Sequence, residues 1–566
     1  MFTRILLSLG LLAAPLLADA PVQGTVTDDL APKPWQDNTS CETCHVDSKY
    51  LHRYPEIEIS TADINATVHE GMACVDCHYE GFRDYPHNKL AHRSSCADCH
   101  EDALHEYETS EHFKARQEGN LNAPDCVDCH GFHDIRQPAE QLGGAAAVQT
   151  CAKCHGDKVL SEGLKLRTDI LDSYSSSYHG EMYRLGFEGD DYATCVSCHD
   201  NHAIRSSDDP ASSIARENLV ETCAACHEGA DESFAGYLTH WSPGDGQSST
   251  LDGAFLFMEM LLIGVMIFFG VHTLLWFLRS ALTASAHKGI TLEPATKVVR
   301  RFTPKQRVMH LILVLSFLTL ALTGLPVKFG DAAFAQWIAA NIVGFEAAAT
   351  LHRIAGITLA ALFLFHVLDL AYQILVKKQK GMLWGPNSMV PNGKDVSDFF
   401  GHVAYFLYLR KTPPRFDRWA YWEKFDYFAV FWGMVIIGVS GLALMFPGGA
   451  SSMFGGTGLN LMHLVHSEEA LLATAFIFVV HFFNSNLRPT AFPIDDVIFT
   501  GGQSLERLKE ERPAEFERLE SSGQLEALLA EPLDPRRIAL YRLGGLLLMA
   551  TGLTLLVLIF FGLSGH

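Results

Sequence analysis

Fourteen cysteines lie in the first half of the chain, and all of them fall in pairs separated by two residues. A histidine follows each pair directly, so the pattern Cys-x-x-Cys-His occurs seven times. The pairs are Cys41 and Cys44, Cys74 and Cys77, Cys96 and Cys99, Cys126 and Cys129, Cys151 and Cys154, Cys195 and Cys198, and Cys223 and Cys226, and the histidines are His45, His78, His100, His130, His155, His199 and His227. This is the attachment signature of c-type haem: two thiols bond the vinyl groups, and the adjacent imidazole binds the iron.

Cysteine pairs could also indicate a disulfide framework, which is typical of exported chains, or a structural zinc site. The spacing disfavours both, because every cysteine belongs to a pair followed by histidine and no thiol is left over. The sequence therefore predicts seven covalent haem c groups.

Each of the seven irons also needs a sixth ligand or an open position for a substrate. Ten further histidines in the same segment favour ligation by two histidines at most or all of the irons. The candidates are His69, His92, His112, His133, His179, His202 and His240, with His52, His87 and His105 as rivals of His92. The pairing of these histidines with individual haems stays open.

The haem-binding segment contains an internal repeat. In residues 112–155 a histidine, a Cys-x-x-Cys-His motif, a histidine three residues beyond it and a second motif occur in this order. The same order recurs in residues 179–227. A duplicated two-haem unit predicts a row of haems, held by short helices and loops with little sheet.

Residues 1–20 have the features of an export signal. Arg4 precedes an apolar stretch that ends in the small-x-small sequence of residues 18–20. An uncleaved anchor helix is the alternative, although the stretch is short for a membrane span. Residues 21–250 are then expected outside the cytoplasm, as a periplasmic seven-haem cytochrome c domain. The net charge of −22 argues against nucleic acid as a partner.

Beyond residue 250, apolar stretches long enough for a membrane helix recur. Six spans are predicted, at about 254–278, 308–329, 351–376, 425–446, 461–485 and 541–563. The loops after the first and third spans are rich in Lys and Arg, whereas residues 330–350 and 447–460 contain neither. The positive-inside rule then makes residues 251–566 a multi-pass domain of a bacterial inner membrane, with the haem c domain in the periplasm. The expected fold class is mainly α, with a haem-bearing segment joined to a six-span bundle.

Four histidines inside the predicted spans are spaced as ligands of two further haems. His352 and His366 lie 14 residues apart on the third span, and His466 and His481 lie 15 residues apart on the fifth. At 1.5 Å per residue, each separation is roughly 20 Å along one side of a helix. Ionisable groups inside a membrane are usually functional. Two haem b groups are therefore predicted, one near each membrane surface, with core histidines as the alternative.

The membrane half resembles a known family. Residues 310–316 (His-Leu-Ile-Leu-Val-Leu-Ser), 323–326 (Thr-Gly-Leu-Pro) and 351–356 (Leu-His-Arg-Ile-Ala-Gly) are similar to two haem-binding helices in the cytochrome b subunits of Ni/Fe-hydrogenases and formate dehydrogenases. The fifth span is similar to their helix with two ligands. The resemblance, over roughly residues 300–500, implies His310 as the fourth ligand. The spacing of 14 and 15 residues instead resembles cytochrome b of the bc complexes and would assign His366, while His272 and His463 are weaker additional candidates.

Fusion of a multihaem domain to such a cytochrome b resembles inner-membrane quinol oxidoreductases of bacterial anaerobic respiration. The resemblance implies oxidation of a membrane quinol, with electrons passing through two b haems to seven c haems and on to a periplasmic or outer-membrane cytochrome. Glu468 and Glu469, which follow His466, are the expected proton acceptors. Solvated residues at a helix end are the alternative for both. Residues 422–426 are a candidate border of an inner quinone site.

Other functions are possible for the same parts. A terminal reductase of a small oxyanion would need an open iron, which the surplus of histidines disfavours. The chain could also run in reverse and reduce quinone, whereas a scaffold without turnover would not need b haems. The expectation is a quinol:cytochrome c-type oxidoreductase or an electron-transfer subunit, with the quinone type and oligomeric state left open.

Overall fold

The computed structural model describes residues 38–46, 51, 59, 66–78, 96–187, 192–283, 297–488 and 491–564. The predicted export signal, residues 1–20, lies outside the described residues, as do His52, His87 and His92. The described chain is mainly helical and has six long apolar helices, which confirms the expected fold class.

The chain divides into two compact units. The first consists of Met1–Leu104 and Cys126–Gln137, and it contains the first four Cys-x-x-Cys-His motifs. The second consists of His105–Asp125 and Pro138–His566, and it contains the last three motifs together with all six long helices. The domain boundary after residue 250 stays a prediction.

Short helices carry or flank the motifs. Those that contain motif residues are Thr39–His45, Cys74–Cys77, the 3-10 turn Cys96–Asp98, Cys126–His130, Ala145–His155, Cys195–His199 and Leu219–Ala224. The others are Glu101–Glu108, Glu111–Gln117, Pro138–Gln141, Lys158–Gly163, Ile170–Ser175, Tyr178–Arg184 and the 3-10 turn Phe234–Gly236. The described residues before 249 contain no strand.

Six helices are long and apolar enough to cross a membrane. They are α1 (Ser249–Thr283), α2 (Pro304–Lys328), α3 (Phe345–Ala371), α4 (Tyr421–Met445), α5 (Gly456–Phe476) and α6 (Pro535–Ser564). A π-helical turn, Tyr372–Val376, extends α3, and two more, Ile477–His481 and Phe483–Leu487, extend α5. All six lie at the predicted positions.

Helix α2 begins before its apolar run because a polar residue caps it. The Thr303 side chain accepts a hydrogen bond from the Gln306 backbone N–H, and Pro304 occupies the first helical position, where its missing N–H costs nothing. Hence α2 begins at Pro304, ahead of the apolar run predicted from 308.

Chain direction alternates along the bundle. Thr323, late in α2, contacts His352, early in α3, and Tyr421, the first residue of α4, contacts His272, late in α1. We call the end where α1 begins the first end and the end where α1 stops the second end. One apolar core lies between α2, α5 and α6, formed by Ala321, Leu325, Phe329, Leu471, Phe478, Leu555 and Ile559.

A small sheet is formed by chain segments at the second end. Strands β1 (Val298–Arg300), β2 (Gly502–Ser504) and β3 (Leu529–Ala530) are antiparallel in the order β2-β1-β3, with Val299 opposite both Gln503 and Leu529. The sequence analysis did not predict this sheet, because strands of two or three residues have no alternation to recognise.

The remaining short helices are Ala333–Ile338 with the π-helical turn Ala339–Val343, Gly393–Phe406, Pro447–Phe454, Val497–Thr500, Leu505–Glu511, Pro513–Ser521 and Leu525–Leu528.

Candidate functional site

Two histidine rings face each other near the first end of the bundle. His352 of α3 and His466 of α5 have ring centres 6.4 Å apart. The Nδ1 atom of His352 lies 2.8 Å from the Thr323 hydroxyl, and the Nδ1 atom of His466 lies 3.2 Å from the Ser440 hydroxyl and 3.1 Å from the Ile437 carbonyl oxygen. In a histidine that binds a metal through Nε2, the Nδ1 atom is left to make a hydrogen bond that orients the ring. The contacts of His352 and His466 are all made by Nδ1 and are of this kind.

A glycine next to each hydroxyl residue makes room for the ring. A Cβ atom at Gly324 would lie 3.2 Å from Cε1 of His352, and one at Gly441 would lie 2.9 Å from Cε1 of His466. The arrangement occurs twice, with Thr-Gly of α2 against α3 and Ser-Gly of α4 against α5. The sequence analysis noted the first of these pairs within the family resemblance and missed the second.

The ring separation fits an iron held between two imidazoles. An imidazole nitrogen binds a transition metal at about 2.0–2.1 Å, so two such bonds plus the two ring radii put the ring centres about 6.3 Å apart. The distance between His352 and His466 agrees with this value.

Five more pairs outside the bundle have the same separation. Each joins a motif histidine to a histidine that the sequence analysis named as a candidate sixth ligand, without assigning it to a haem. The pairs are His69–His100 at 6.0 Å, His78–His133 at 6.2 Å, His112–His155 at 6.2 Å, His179–His227 at 6.0 Å and His199–His240 at 6.3 Å. The structure thus brings together five of the seven candidates, His69, His112, His133, His179 and His240, with a motif histidine.

Local helix capping sets up two of these rings in the same way. His112 and His179 are each the second residue of a short helix, and the helices begin after Ser110 and Ser177, whose hydroxyls accept a backbone N–H bond. Burial, and then the nearby His227, lowers the pKa of His179 to about 4. The ring is therefore neutral at physiological pH, as an iron ligand must be.

The other predicted ligands have different surroundings. His45 and His130 do not belong to the five pairs, and His92 lies outside the described residues. The Nδ1 atom of His202 is 3.2 Å from Glu106 Oε2, a contact of the kind that orients a ligand through its second nitrogen. The rival His105 lies beside Glu108, 3.6 Å from its carboxylate.

His481 and His310 lie near the second end of the bundle. The Nδ1 atom of His481 is 3.0 Å from Asp426 Oδ2, and His310 is close enough to His481 for an electrostatic interaction. The competing candidate, His366, uses its Nε2 atom in a 2.7 Å hydrogen bond with the Tyr427 hydroxyl. The contacts of the three rings therefore favour His310 over His366 as the partner of His481.

Buried polar atoms without partners lie one turn from both second-end histidines. They are Nε of Arg307, three residues before His310, and Oδ1 of Asn484, three residues after His481. A buried polar atom normally has a hydrogen-bond partner. A haem at this position would present carboxylate groups, which could accept a hydrogen bond from Arg307 Nε, whereas Asn484 Oδ1 is an acceptor and would need a donor.

The two glutamates that were expected to accept protons are buried in α5. Glu468 is 7% exposed and its Oε1 lies 2.5 Å from Lys328 Nζ. Glu469 is 3% exposed and has its Oε2 buried without a hydrogen-bond partner, while Trp432 lies within hydrogen-bonding reach of its carboxylate. The alternative of solvated helix-end residues therefore does not fit either glutamate.

A histidine pair with similar spacing has a different centre. His272 and His402 have ring centres 6.4 Å apart, but the Tyr421 hydroxyl lies 2.6 Å from His272 Nε2 and 3.0 Å from His402 Nδ1. One hydroxyl thus bridges both imidazoles inside a cluster of aromatic side chains. Hydrogen bonding to tyrosine accounts for this pair, so His272 is not needed as an iron ligand.

The fourteen motif cysteines are present as thiols in the structure. All fourteen cysteines lie in the described residues, and none forms a disulfide. A group of three or more His, Cys, Asp or Glu side chains around one point is absent from the part of the chain that the structure describes. Haem needs no such group, because the porphyrin supplies four of the iron ligands.

Residues 301–484 match the family model described as prokaryotic cytochrome b561. The match covers α2 to α5, and therefore the four histidines at the two ends of the bundle. The match indicates a cytochrome b domain within the bundle, and proteins of that family bind b-type haem and transfer electrons in a membrane. Together with the six apolar helices, the match supports a multi-pass membrane protein. No curated protein and no solved structure matches the chain.

Proposed function

We propose that this protein oxidises a membrane quinol and passes the electrons through two b haems to seven c haems, and from there to a periplasmic or outer-membrane cytochrome. The motif segment, by which we mean residues 21–250 with their seven Cys-x-x-Cys-His motifs, would lie in the periplasm and the bundle in the inner membrane. One observation carries the proposal: apart from the tyrosine-bridged pair His272–His402, six histidine pairs have ring centres 6.0–6.4 Å apart, of which one lies in the bundle and five include a motif histidine. A chain of such pairs suits electron transfer better than catalysis at a single iron.

The proposed ligand sets follow from these pairs. His352 and His466 hold one b haem, and His310 and His481 hold the other. The five other pairs hold five c haems, whose vinyl groups bond the cysteines of their motifs. His45 and His130 would hold the remaining two, whose second ligands stay open.

Haems bound by such pairs would serve as one-electron carriers, each held by two histidines. This arrangement disfavours a terminal reductase, because a reductase needs an iron with an open position. The five pairs with motif histidines support filled positions, since each has room for one iron and no further ligand on its axis.

Quinol oxidation releases two electrons and two protons, so the site needs a proton acceptor. Glu469 suits this role because its Oε2 is buried and has no hydrogen-bond partner, while Trp432 can hold the carboxylate in place. Glu468, which is paired with Lys328, would orient the quinol or accept the second proton.

Rapid mixing of the anaerobic, detergent-solubilised protein with a menaquinol analogue tests the proposal. Fast reduction of the b bands followed by the c bands is the expected result. Glu469→Gln should slow b reduction by about 10²–10⁴-fold, the usual contribution of a positioned base. The matched control is Glu346→Gln, an exposed glutamate at the start of α3. If quinol left all haems oxidised and a low-potential donor reduced the c haems first, quinone reduction would replace the proposal.

A further inference from the structure

Two chain segments that flank the His179–His227 pair contact the bundle at its first end. The first is the helix Tyr178–Arg184, which contains His179. Its Glu181 Oε2 lies 3.3 Å from His463 Nε2 of α5, and its Arg184 Nη1 lies 2.8 Å from Asp331 Oδ2 after α2. Tyr178 is within electrostatic reach of Arg353, the neighbour of His352.

The second segment follows His227. The His227 ring packs on Phe234 with centres 4.8 Å apart, and Phe234 begins the turn that ends at Gly236. The backbones of Gly236 and Gly456 approach so closely that a Cβ at Gly456 would lie 2.0 Å from the Gly236 carbonyl carbon.

Two hydrogen bonds fix this segment against α5. The Leu238 N–H donates to Asn460 Oδ1 at 2.9 Å, and Asn460 Nδ2 donates to the Leu238 carbonyl oxygen at 3.0 Å. The side chain of one bundle residue therefore satisfies both backbone groups of Leu238.

The contacts on the bundle lie close to the histidine pair at its first end. His463 and Asn460 precede His466 by three and six residues, which is about 4.5 Å and 9 Å along a helix. A cleft in the same region is lined by Cys226, His227 and Phe234 together with Met445 and Phe446 of the bundle. Met445 lies four residues after Gly441 on α4, and Gly441 is the glycine next to the His466 ring.

We propose that the iron site formed by His179 and His227 is the point where electrons cross between the bundle and the motif segment, with the His352–His466 site as its direct partner. This inference rests on the proposed haem ligation but not on quinol as the electron source. Haems held at these two sites would exchange one electron at a time, with no bond or proton exchanged. Glu181 with His463, and Leu238 with Asn460, act as positioning residues that fix the gap between the two sites.

The repeat in the sequence provides a matched control. His112 has the same place in its helix as His179, after a capping serine, and the same spacing to a motif histidine. The helix that contains its partner, Ala145–His155, packs on other short helices of the motif segment. Replacing either histidine by methionine should raise the reduction potential of one c haem, because a His/Met pair favours the reduced iron.

Low-temperature EPR of the two full-length variants His179→Met and His112→Met tests the assignment. A mild chemical reductant reduces the high-potential haem alone and so removes one paramagnetic iron. The spin relaxation of the b haem at His352–His466 should slow in His179→Met and stay unchanged in His112→Met. Equal slowing, or slowing in His112→Met alone, would overturn the proposal.

A second variant covers the case in which His179→Met loses its haem. Asn460→Leu removes both hydrogen bonds to Leu238 and leaves every proposed ligand in place. It should keep all haem bands but slow electron passage from b to c haems after photochemical reduction of the b haems. Unchanged passage would overturn the positioning role. Because neither test uses quinol, a failed quinol reaction would refute the proposed function without touching this result.

Discussion

The bundle and the motif segment present histidine pairs at the same separation but hold them in different ways. In the bundle, His352 and His466 stand on helices of more than twenty residues, and a hydroxyl and a glycine of a neighbouring helix hold each ring. In the motif segment the rings stand on helices of four to eleven residues or on loops. Helices this short are unstable alone in water. The bundle can therefore form its site without the cofactor, whereas the motif segment and its sites must form together.

Removal of a haem should show the largest difference in stability between the two regions. On the proposed ligation, Cys195→Ala with Cys198→Ala would abolish covalent haem attachment beside His199 and with it the link to His240. We expect the motif segment to lose its fold, a loss comparable with the roughly 5–15 kcal/mol that stabilises a typical domain. Limited proteolysis and haem staining measure the effect.

The counterpart in the bundle is His466→Ala. It should remove one b haem while the six helices stay protease-resistant in detergent. Collapse of the bundle in this variant would break the comparison.

A methyl group at Gly441 should disturb a b haem without disturbing the fold. The new Cβ would lie 2.9 Å from His466, closer than real Cβ atoms come to a neighbour, so the ring must shift. Overpacking of this kind costs typically 1–3 kcal/mol, so Gly441→Ala should weaken haem retention by about tenfold or more. The haem b to protein ratio after dilution in detergent measures it.

Two other glycines calibrate this result. Gly324→Ala should have a smaller effect, because the contact is 3.2 Å, and Gly438→Ala on α4 should have none, because no atom lies within 4 Å. Equal losses in all three variants would point to a general effect on helix packing instead.

Loss of a hydroxyl should disturb the same b haem through the second nitrogen of its ligand. Partners of a ligand's second nitrogen typically contribute 10–100-fold to metal affinity or activity. Thr323→Val should lower the reduction potential or retention of the first-end haem more than Ser440→Ala, because His466 keeps the Ile437 carbonyl oxygen at 3.1 Å. A redox titration followed at the b bands gives the order, and a larger effect of Ser440→Ala would contradict it.

The smallest expected effect concerns the ion pairs around the second-end sheet. Burial alone would raise the pKa of Asp495, but the guanidinium groups of Arg507 and Arg488 hold it below its ordinary value. Such a carboxylate stabilises the fold above its unfolded pKa, about 3.9, and loses this contribution as pH falls through the folded value. Asp495→Asn should therefore lower the Tm at pH 7 and flatten its fall in acid.

The control for this prediction is Glu510→Gln, which changes an exposed glutamate of the helix that also contains Arg507. It should change neither the Tm at pH 7 nor its fall in acid. If the Tm of Asp495→Asn followed the wild-type pH profile, the ion pairs would not stabilise this end of the bundle.

The membrane helices could be predicted from local sequence, because they are set by a short-range pattern, and the haem attachment motifs are an equally local pattern whose chemistry stays a prediction. Cys-x-x-Cys-His is complete within five residues, and an apolar run of about twenty residues identifies a span on its own. The predicted spans match α1 to α6 for this reason.

Contacts between distant segments could not be predicted in the same way. The candidate partners were named, but the sequence contains no signal that pairs His199 with His240 rather than with His202. Ser440 and Gly441 were missed because one hydroxyl and one glycine on an apolar helix are common. The bridge of His272, Tyr421 and His402 joins three separate elements, so only the folded chain reveals it.

The order of the paired histidines along the chain has a consequence for biosynthesis. In the pairs that include His100, His155 and His227, the second histidine precedes its motif, whereas in those that include His78 and His199 it follows. If the chain leaves the cytoplasm from its N-terminus, the sites of His100, His155 and His227 can close as soon as their motifs emerge. The site of His199 must wait for His240, nine residues before α1. Its closure would therefore mark the moment when export of the segment ends and membrane insertion begins.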